Sequence, residues 1–257
     1  MLRINLDETC CRLHYEPKKG LSVGMRRRKQ GRRRDVVQNV PTTKKRGAFT
    51  HIGMICDDAS IQPRLPQILL GNERMFSVAT MNALRGELPG NVRVWRRKSG
   101  WVNKYMMREV LDALLAALGE LTATRQVILL LDTCPVHICA RFLAHAARHT
   151  VSVQYVPAKL TWLLQPLDTH AFARYKAFLS EQYRRHLLRS PRGTCDVASM
   201  IKLVALTCRK VLQGVAWAYA FDGNGYTSQS TTVRDDIREA LEWSAVPELT
   251  ARLPSLE

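Results

Sequence analysis

Apolar and polar residues alternate with strand periodicity in the first part of the chain. Residues 2–7 alternate in this way, with a possible extension to 13, and Ala48–Cys56 and Gln62–Leu70 are two further apolar segments. The segment Asp57-Asp58-Ala59-Ser60 between them is rich in turn formers. Short apolar runs bounded by turn residues are typical of β-strands. Three strands in succession predict an antiparallel meander.

The periodicity becomes helical after Trp101. Apolar residues then recur every four positions, as expected for one face of a helix, at Val102, Met106, Val110, Leu114 and Leu118. Gly119 is the predicted end of this helix, because glycine favours the position that follows a helix. Val127–Asp132 is a continuous apolar run, which is typical of a strand buried on both faces of a sheet.

Helix and strand continue to alternate beyond Asp132. Residues 136–148 have a helical pattern, Val151–Val156 a strand pattern, and residues 169–189 the pattern of a long helix. The order predicts an α/β fold. From Cys195 onward the sequence is mostly helical, with a turn at residues 222–225 and a last helix opening near Thr232. We therefore expect one domain over residues 1–190 and a helical C-terminal extension over residues 191–257 packed on it.

Positive charge is concentrated near the start of the chain. The 257 residues have a formal net charge of +17, which favours a polyanionic partner such as DNA. Residues 16–47 lack periodicity and include a basic block, which predicts a solvated loop. This block is the candidate DNA-binding segment through phosphate contacts, and a nuclear localisation signal is the alternative. Its basic residues are Arg26, Arg27, Arg28, Lys29, Arg32, Arg33 and Arg34.

The cysteines and the apolar segments exclude two classes of protein. Seven irregularly spaced cysteines argue against a secreted disulfide framework and favour a reducing compartment. No segment approaches the roughly 18 consecutive apolar residues of a membrane helix. We expect a soluble intracellular protein that binds no membrane.

Three aspartates are candidates for chemistry. Asp7 lies near the end of the first strand, Asp132 ends the buried strand, and Asp168 precedes the long helix. Each has an ordinary alternative: Asp7 as a turn residue, and Asp132 or Asp168 as a helix cap. At 100° per residue, however, Asp168 lies on the helical stripe of Phe172 that should face the sheet. Carboxylates directed inward require a cation or hydrogen-bond donors, and hard divalent cations take such oxygen ligands.

The segments around these aspartates resemble a known family. Asn5-Leu6-Asp7-Glu8-Thr9, then Leu130-Leu131-Asp132-Thr133-Cys134-Pro135-Val136-His137, then Leu164-Gln165-Pro166-Leu167-Asp168 are similar to the three motif blocks of DDE superfamily endonuclease domains. These domains occur in pogo and mariner-type transposases and in jerky-like and centromere protein B relatives. Ser99-Gly100-Trp101 is similar to the Gly-Trp segment of the same family.

The resemblance implies a ribonuclease H-like fold, with a mixed five-stranded sheet flanked by helices. It also implies that Asp7, Asp132 and Asp168 are the catalytic, metal-binding residues for two Mg²⁺ or Mn²⁺ ions when substrate is bound. The expected activity is DNA cleavage and strand transfer in the nucleus, and the alternative is a domesticated, catalytically silent DNA-binding or chromatin protein. The oligomeric state is left open, with a homodimer as one candidate.

The second motif block departs from the family pattern at one residue and agrees with it at another. Thr133 follows the second aspartate where the family often has asparagine, and His137 falls where the family also has histidine, so both are expected to support the metal site indirectly. Zinc binding by Cys134, His137 and Cys139 lacks a fourth ligand.

Family members have an N-terminal helix-turn-helix module, whereas six residues precede Asp7, so we expect a catalytic domain without its DNA-binding module.

Overall fold

A central mixed sheet of six strands organises the chain in a computed structural model, which describes residues 1–13, 47–191, 193–227 and 233–240. The strands are β1 (Leu2–Arg12), β2 (Ala48–Cys56), β3 (Gln67–Asn72), β4 (Val92–Arg97), β5 (Val127–Asp132) and β6 (Val151–Val156). Their order across the sheet is β4-β3-β2-β1-β5-β6. The basic block at residues 26–34 and the predicted helix start at Thr232 lie outside the described residues.

Strand direction follows the predicted arrangement. Strands β1, β2 and β3 form an antiparallel meander, and β5 and β6 are parallel to β1 and to each other. This confirms the α/β, ribonuclease H-like fold. The expected number of five strands was too small, because β4 adds a sixth strand parallel to β3. Its residues are only partly covered, as expected for an edge strand.

Helices cover both faces of the sheet. They are α1 (Val78–Ala83), α2 (Met106–Leu118), α3 (Leu121–Thr124), α4 (Ala140–Arg148), α5 (Thr161–Leu164), α6 (Phe172–Arg189), α7 (Val197–Thr207), α8 (Ala218–Gly223) and α9 (Asp235–Ala240). Short 3₁₀ and π-helical segments occur at Gln62–Arg64, Leu167–Ala171 and Cys208–Gln213. None of the helices in these ranges is long and apolar enough to cross a membrane.

Several element ends differ from the sequence prediction for local reasons. Helix α2 starts at Met106 rather than near Val102, because the Asn103 side chain accepts hydrogen bonds from the backbone N–H groups of Tyr105 and Met106. It ends before Gly119, whose φ of 56° is accessible to glycine. The third strand starts at Gln67 rather than Gln62, since the 3₁₀ turn precedes it.

The core consists of two apolar clusters, one on each face of the sheet. Helices α2 and α4 cover the face formed by alternate residues such as Leu6, Met54 and Leu131. Helix α6 covers the opposite face with Phe172, Tyr175 and Leu179, and α7, the π-helical segment after it and α8 add to the same cluster. The C-terminal helices therefore share a core with α6. The division at residue 190 stays a prediction.

Candidate active site

The three candidate aspartates lie on neighbouring segments at one end of strands β1 and β5. Asn5 pairs with Leu130 in the parallel register of these strands, so Asp7 and Asp132 each follow that pair by two residues and occupy the same side of their strands. Asp168 belongs to the π-helical segment Leu167–Ala171 that leads into α6. It is therefore within a helical turn and does not act as the N-cap, a position that Pro166 takes.

Helix α6 begins over β2, beside the strand that contains Asp7. Asp7 pairs with Gly53 of β2, and a Cβ atom on Gly53 would lie 3.4 Å from Cε1 of Phe172. Phe172 is four residues after Asp168 and is almost fully buried. The first turn of α6 thus packs directly on the backbone opposite Asp7. This contact sets the height of the Asp168 segment above the sheet.

The charges of the three carboxylates act on one another. Burial raises the pKa of Asp7 well above its usual value, and the charges of Asp168, Glu8 and Asp132 raise it further. The Glu8 backbone N–H donates to Asp7 Oδ1 at 2.8 Å, which lowers the pKa only in part. Burial is also the main cause of the raised pKa of Asp168, to which Asp132 contributes. Burial and the neighbouring carboxylates thus favour the neutral form of Asp7, and a positive charge nearby would favour the ionised form.

Among the described residues, the charge of Lys176 acts on Asp168. The charge of Lys176 lowers the pKa of Asp168, although burial outweighs it. The Lys176 Nζ atom lies 5.5 Å from the centroid of the Phe172 ring, a cation–π geometry. Lys176 itself is exposed. It is therefore a positive charge at the solvent side of the site.

Asp132 has a different environment, because His137 contacts it. His137 Nδ1 lies 2.5 Å from Asp132 Oδ1, and His137 Nε2 lies 3.2 Å from Glu8 Oε1. Burial lowers the pKa of His137, but the hydrogen bonds to Asp132 and Glu8 outweigh burial and raise it to about 10. The hydrogen bond with His137 in turn is the main cause of the lowered pKa of Asp132. An imidazolium thus bridges two carboxylates at neutral pH.

The sequence did not indicate the role of Glu8. Adjacent strand residues face opposite sides of a sheet, so strand alternation alone directs Glu8 away from Asp7. The His137 ring, which is fully buried, reaches Glu8 from the loop after β5. The Tyr155 hydroxyl donates to the His137 carbonyl at 2.9 Å and holds this loop. Thr133 makes no side-chain hydrogen bond to any residue within the described ranges.

The remaining acidic and cysteine candidates have structural surroundings. Asp57 is paired with Arg3 at 2.9 Å and Asp58 with Arg125 at 2.6 Å, so both stabilise the turn after β2. Across the described parts of the chain, no three His, Cys, Asp or Glu side chains form a group that could hold a metal ion as they stand. Cys134, His137 and Cys139 therefore form no such group, and neither do Asp7, Asp132 and Asp168.

The carboxylates nevertheless have the chemistry that a hard cation requires. Mg²⁺ is commonly held by one or two carboxylates, with water and substrate phosphate oxygens in the other positions. Asp7 and Asp168 have no cationic hydrogen-bond partner among the described residues, and their pKa values are raised first by burial and then by neighbouring carboxylates. Asp132 contributes a third oxygen donor group. The donor set is therefore suited to a divalent cation.

The fold is an α/β, ribonuclease H-like sheet with acidic residues on β1, β5 and the segment before α6. The sequence profile described as DDE superfamily endonuclease matches residues 53–222, which is more than half of the 257 residues. The chain therefore belongs to the DDE superfamily endonuclease family. The matched range includes Asp132 and Asp168 and begins after Asp7.

Solved structures of a mariner transposase are similar to the chain at low identity. The Mos1 transposase paired-end complex with left transposon end has 18% identity and a TM-score of 0.38, and covers 88% of this chain and 56% of that chain. The Mos1 mariner paired end complex with Mn has 16% identity and a TM-score of 0.39, with 87% and 55% covered. The chain thus spans about half the length of these proteins. No curated protein sequence matches it.

Proposed function

We propose that the chain is a transposase-derived DDE endonuclease domain that binds DNA and cleaves and joins phosphodiester bonds with Mg²⁺ or Mn²⁺. The observation that carries this proposal is the placement of Asp7 and Asp132 on the same side of the paired strands β1 and β5, with Asp168 on the segment whose Leu167 N–H donates to Asn5 of β1. Membership of the family supports it. The homodimer stays a prediction.

In this proposal the three aspartates hold two divalent ions, which activate the attacking oxygen and stabilise the leaving oxygen when bound. Asp132 provides the most readily ionised carboxylate, because its pKa is lowered. His137 holds that carboxylate in place through Nδ1 and is itself held by Glu8. His137 is therefore proposed to orient a metal ligand, and Thr133 keeps only its expected supporting role.

DNA is the proposed substrate because the chain has an excess of positive charge. The net charge is +17, and Lys176 places one positive charge beside Asp168. A cation at the solvent side of a carboxylate site suits a phosphate of the bound strand. The block at residues 26–34 is proposed to add phosphate contacts.

Nuclear localisation is proposed from the same basic block. A fluorescent fusion of the chain should enter the nucleus, and neutralising the arginines of residues 26–34 should abolish entry. Unchanged entry would reject the block as the signal.

A nicking assay on supercoiled DNA with Mn²⁺ tests the catalytic proposal. Asp132→Asn removes the charge but keeps a hydrogen-bond acceptor for His137, and it should abolish nicking. Asp112→Asn is the matched control, because Asp112 Oδ1 also lies 2.5 Å from a histidine, His145 Nε2, on helices α2 and α4. It should retain nicking. Nicking that survives Asp132→Asn would reject the proposed site.

A second candidate function is the catalytically silent DNA-binding or chromatin protein. The specific observation in its favour is the bridge that His137 forms between Asp132 and Glu8 through its two ring nitrogens. Such a bridge supplies positive charge to two carboxylates from the chain itself. Absence of nicking by the wild-type chain, together with salt-sensitive DNA binding, would support this second function.

A further inference from the structure

A fully buried amide, Asn5, lies next to the proposed site. Its side chain is 0% exposed. The Nδ2 group donates to the Leu130 carbonyl at 3.1 Å and to the Leu6 carbonyl at 3.4 Å. The Oδ1 atom accepts the backbone N–H of Leu167 at 2.8 Å. One side chain therefore joins β1, β5 and the segment that precedes α6.

Each of these contacts is adjacent to one of the three aspartates. Asn5 is two residues before Asp7 on β1, and Leu130 is two residues before Asp132 on β5. Leu167 immediately precedes Asp168. Asp7 and Asp132 are more than a hundred residues apart in the sequence, and Asp132 and Asp168 are tens of residues apart. Local structure therefore cannot align the three segments. The amide supplies a direct connection among all three.

The chemistry of an amide is required at this position. Leu167 is the first residue of its helical segment, and the N–H groups of a first turn have no partner within the helix. A buried N–H without a partner costs free energy. Asparagine provides an acceptor for that N–H and a donor for the Leu130 carbonyl at the same time, without introducing a buried charge.

We propose that Asn5 is a positioning residue that fixes the segments bearing Asp7, Asp132 and Asp168 relative to one another. It touches no reacting atom and acts through the backbone of the segments it joins. Its consequence for catalysis rests on the proposed function. A displacement of about 1 Å in a catalytic group can reduce a rate about a hundredfold.

The test compares Asn5→Leu with Gln62→Met. Each substitution replaces a fully buried amide by an apolar side chain of similar shape. Gln62 also bonds two backbone groups, accepting from Cys56 N–H at 2.7 Å and donating to the Met54 carbonyl at 3.3 Å. It contacts none of the three aspartate segments. Gln62→Met therefore reproduces the loss of a buried amide without the proposed effect.

The first measurement is native-state hydrogen exchange at the Leu167 amide. In Asn5→Leu the exchange should be about tenfold faster, as expected for the loss of one buried hydrogen bond, and in Gln62→Met it should match the wild-type chain. Asn5→Ala also removes the acceptor, adds no bulk and should exchange as fast as Asn5→Leu, so it decides the outcome if Asn5→Leu fails to fold. Unchanged exchange in Asn5→Leu, or in Asn5→Ala, would overturn the proposal.

The second measurement is Mn²⁺-dependent nicking at varied DNA concentration. Asn5→Leu should lower kcat about a hundredfold with little change in KM, and Gln62→Met should retain kcat. Fast Leu167 exchange with an unchanged kcat would overturn the positioning role while the proposed function stands. If the wild-type chain does not nick DNA, the proposed function fails, and the exchange result decides alone whether Asn5 fixes the segments.

Discussion

Acid should destabilise the fold through one buried histidine. His51 of β2 is 0% exposed, and its Nε2 atom lies 3.0 Å from Gln67 Oε1. Its Nδ1 atom has no hydrogen-bond partner among the described residues. Burial lowers the pKa of His51 from 6.5 to about 4, although the hydrogen bond with Gln67 raises it in part.

The magnitude follows from that pKa. Each pKa unit corresponds to 1.36 kcal/mol, so a pKa lowered from 6.5 to about 4 corresponds to roughly 3 kcal/mol of stability. The folded state binds the proton more weakly than the unfolded state. The contribution is therefore complete above the unfolded pKa of 6.5 and is lost as the pH falls toward about 4.

Urea unfolding between about pH 7.5 and about pH 4 measures this loss. Over that range, His51→Gln should lose roughly 3 kcal/mol less stability than the wild-type chain, because glutamine does not titrate. His149→Gln is the control, since His149 is exposed, and its pH dependence should follow the wild-type chain. Parallel pH profiles for His51→Gln and the wild-type chain would refute the reasoning.

Three further predictions concern the site and the core. Lys176→Gln should reduce the salt slope of DNA binding by about 0.9, whereas Lys202→Gln should not, because Lys202 Nζ already pairs with Glu87 at 3.1 Å. Trp217→Ala should cost about 3–5 kcal/mol by urea unfolding, since Trp217 is fully buried and donates to a backbone carbonyl at 2.7 Å. Asp7→Asn should raise the free energy of unfolding at neutral pH without metal, because burial and neighbouring charges raise the pKa of Asp7. That gain should vanish below the unfolded pKa of 3.8, where Asp7 is protonated in both states, and a gain that persists there would contradict this cause.

Two strands were predictable to the residue. Val127–Asp132 coincides with β5, because a continuous apolar run is required where helices cover both faces. Val151–Val156 coincides with β6, an edge strand whose valines are separated by polar residues. Strand β4, at the other edge, was missed, since its arginines and partly exposed residues resemble a loop.

The aspartates and His137 were predicted from sequence, whereas Asn5 and Glu8 were not. The motif resemblance predicted a catalytic role for Asp7 and no role for Asn5 or Glu8. Asn5 contacts Leu130 and Leu167 across 125 and 162 residues, and Glu8 contacts His137 across 129 residues. Contacts at such separations depend on strand register and on the packing of the helix, which a local pattern does not contain. The sequence signal that could have found Asn5 is its polarity on the apolar strand β1.

The three carboxylates differ in how the fold treats their charge, and this difference bears on function. Asp132 is paired with an imidazolium, which lowers its pKa. Asp7 and Asp168 have raised pKa values, because they are buried without a hydrogen-bonded cation among the described residues. A fold selected only for stability would replace a buried, unpaired carboxylate by a neutral residue. Retaining Asp7 on β1 therefore imposes a cost on the isolated chain, which a bound cation would offset.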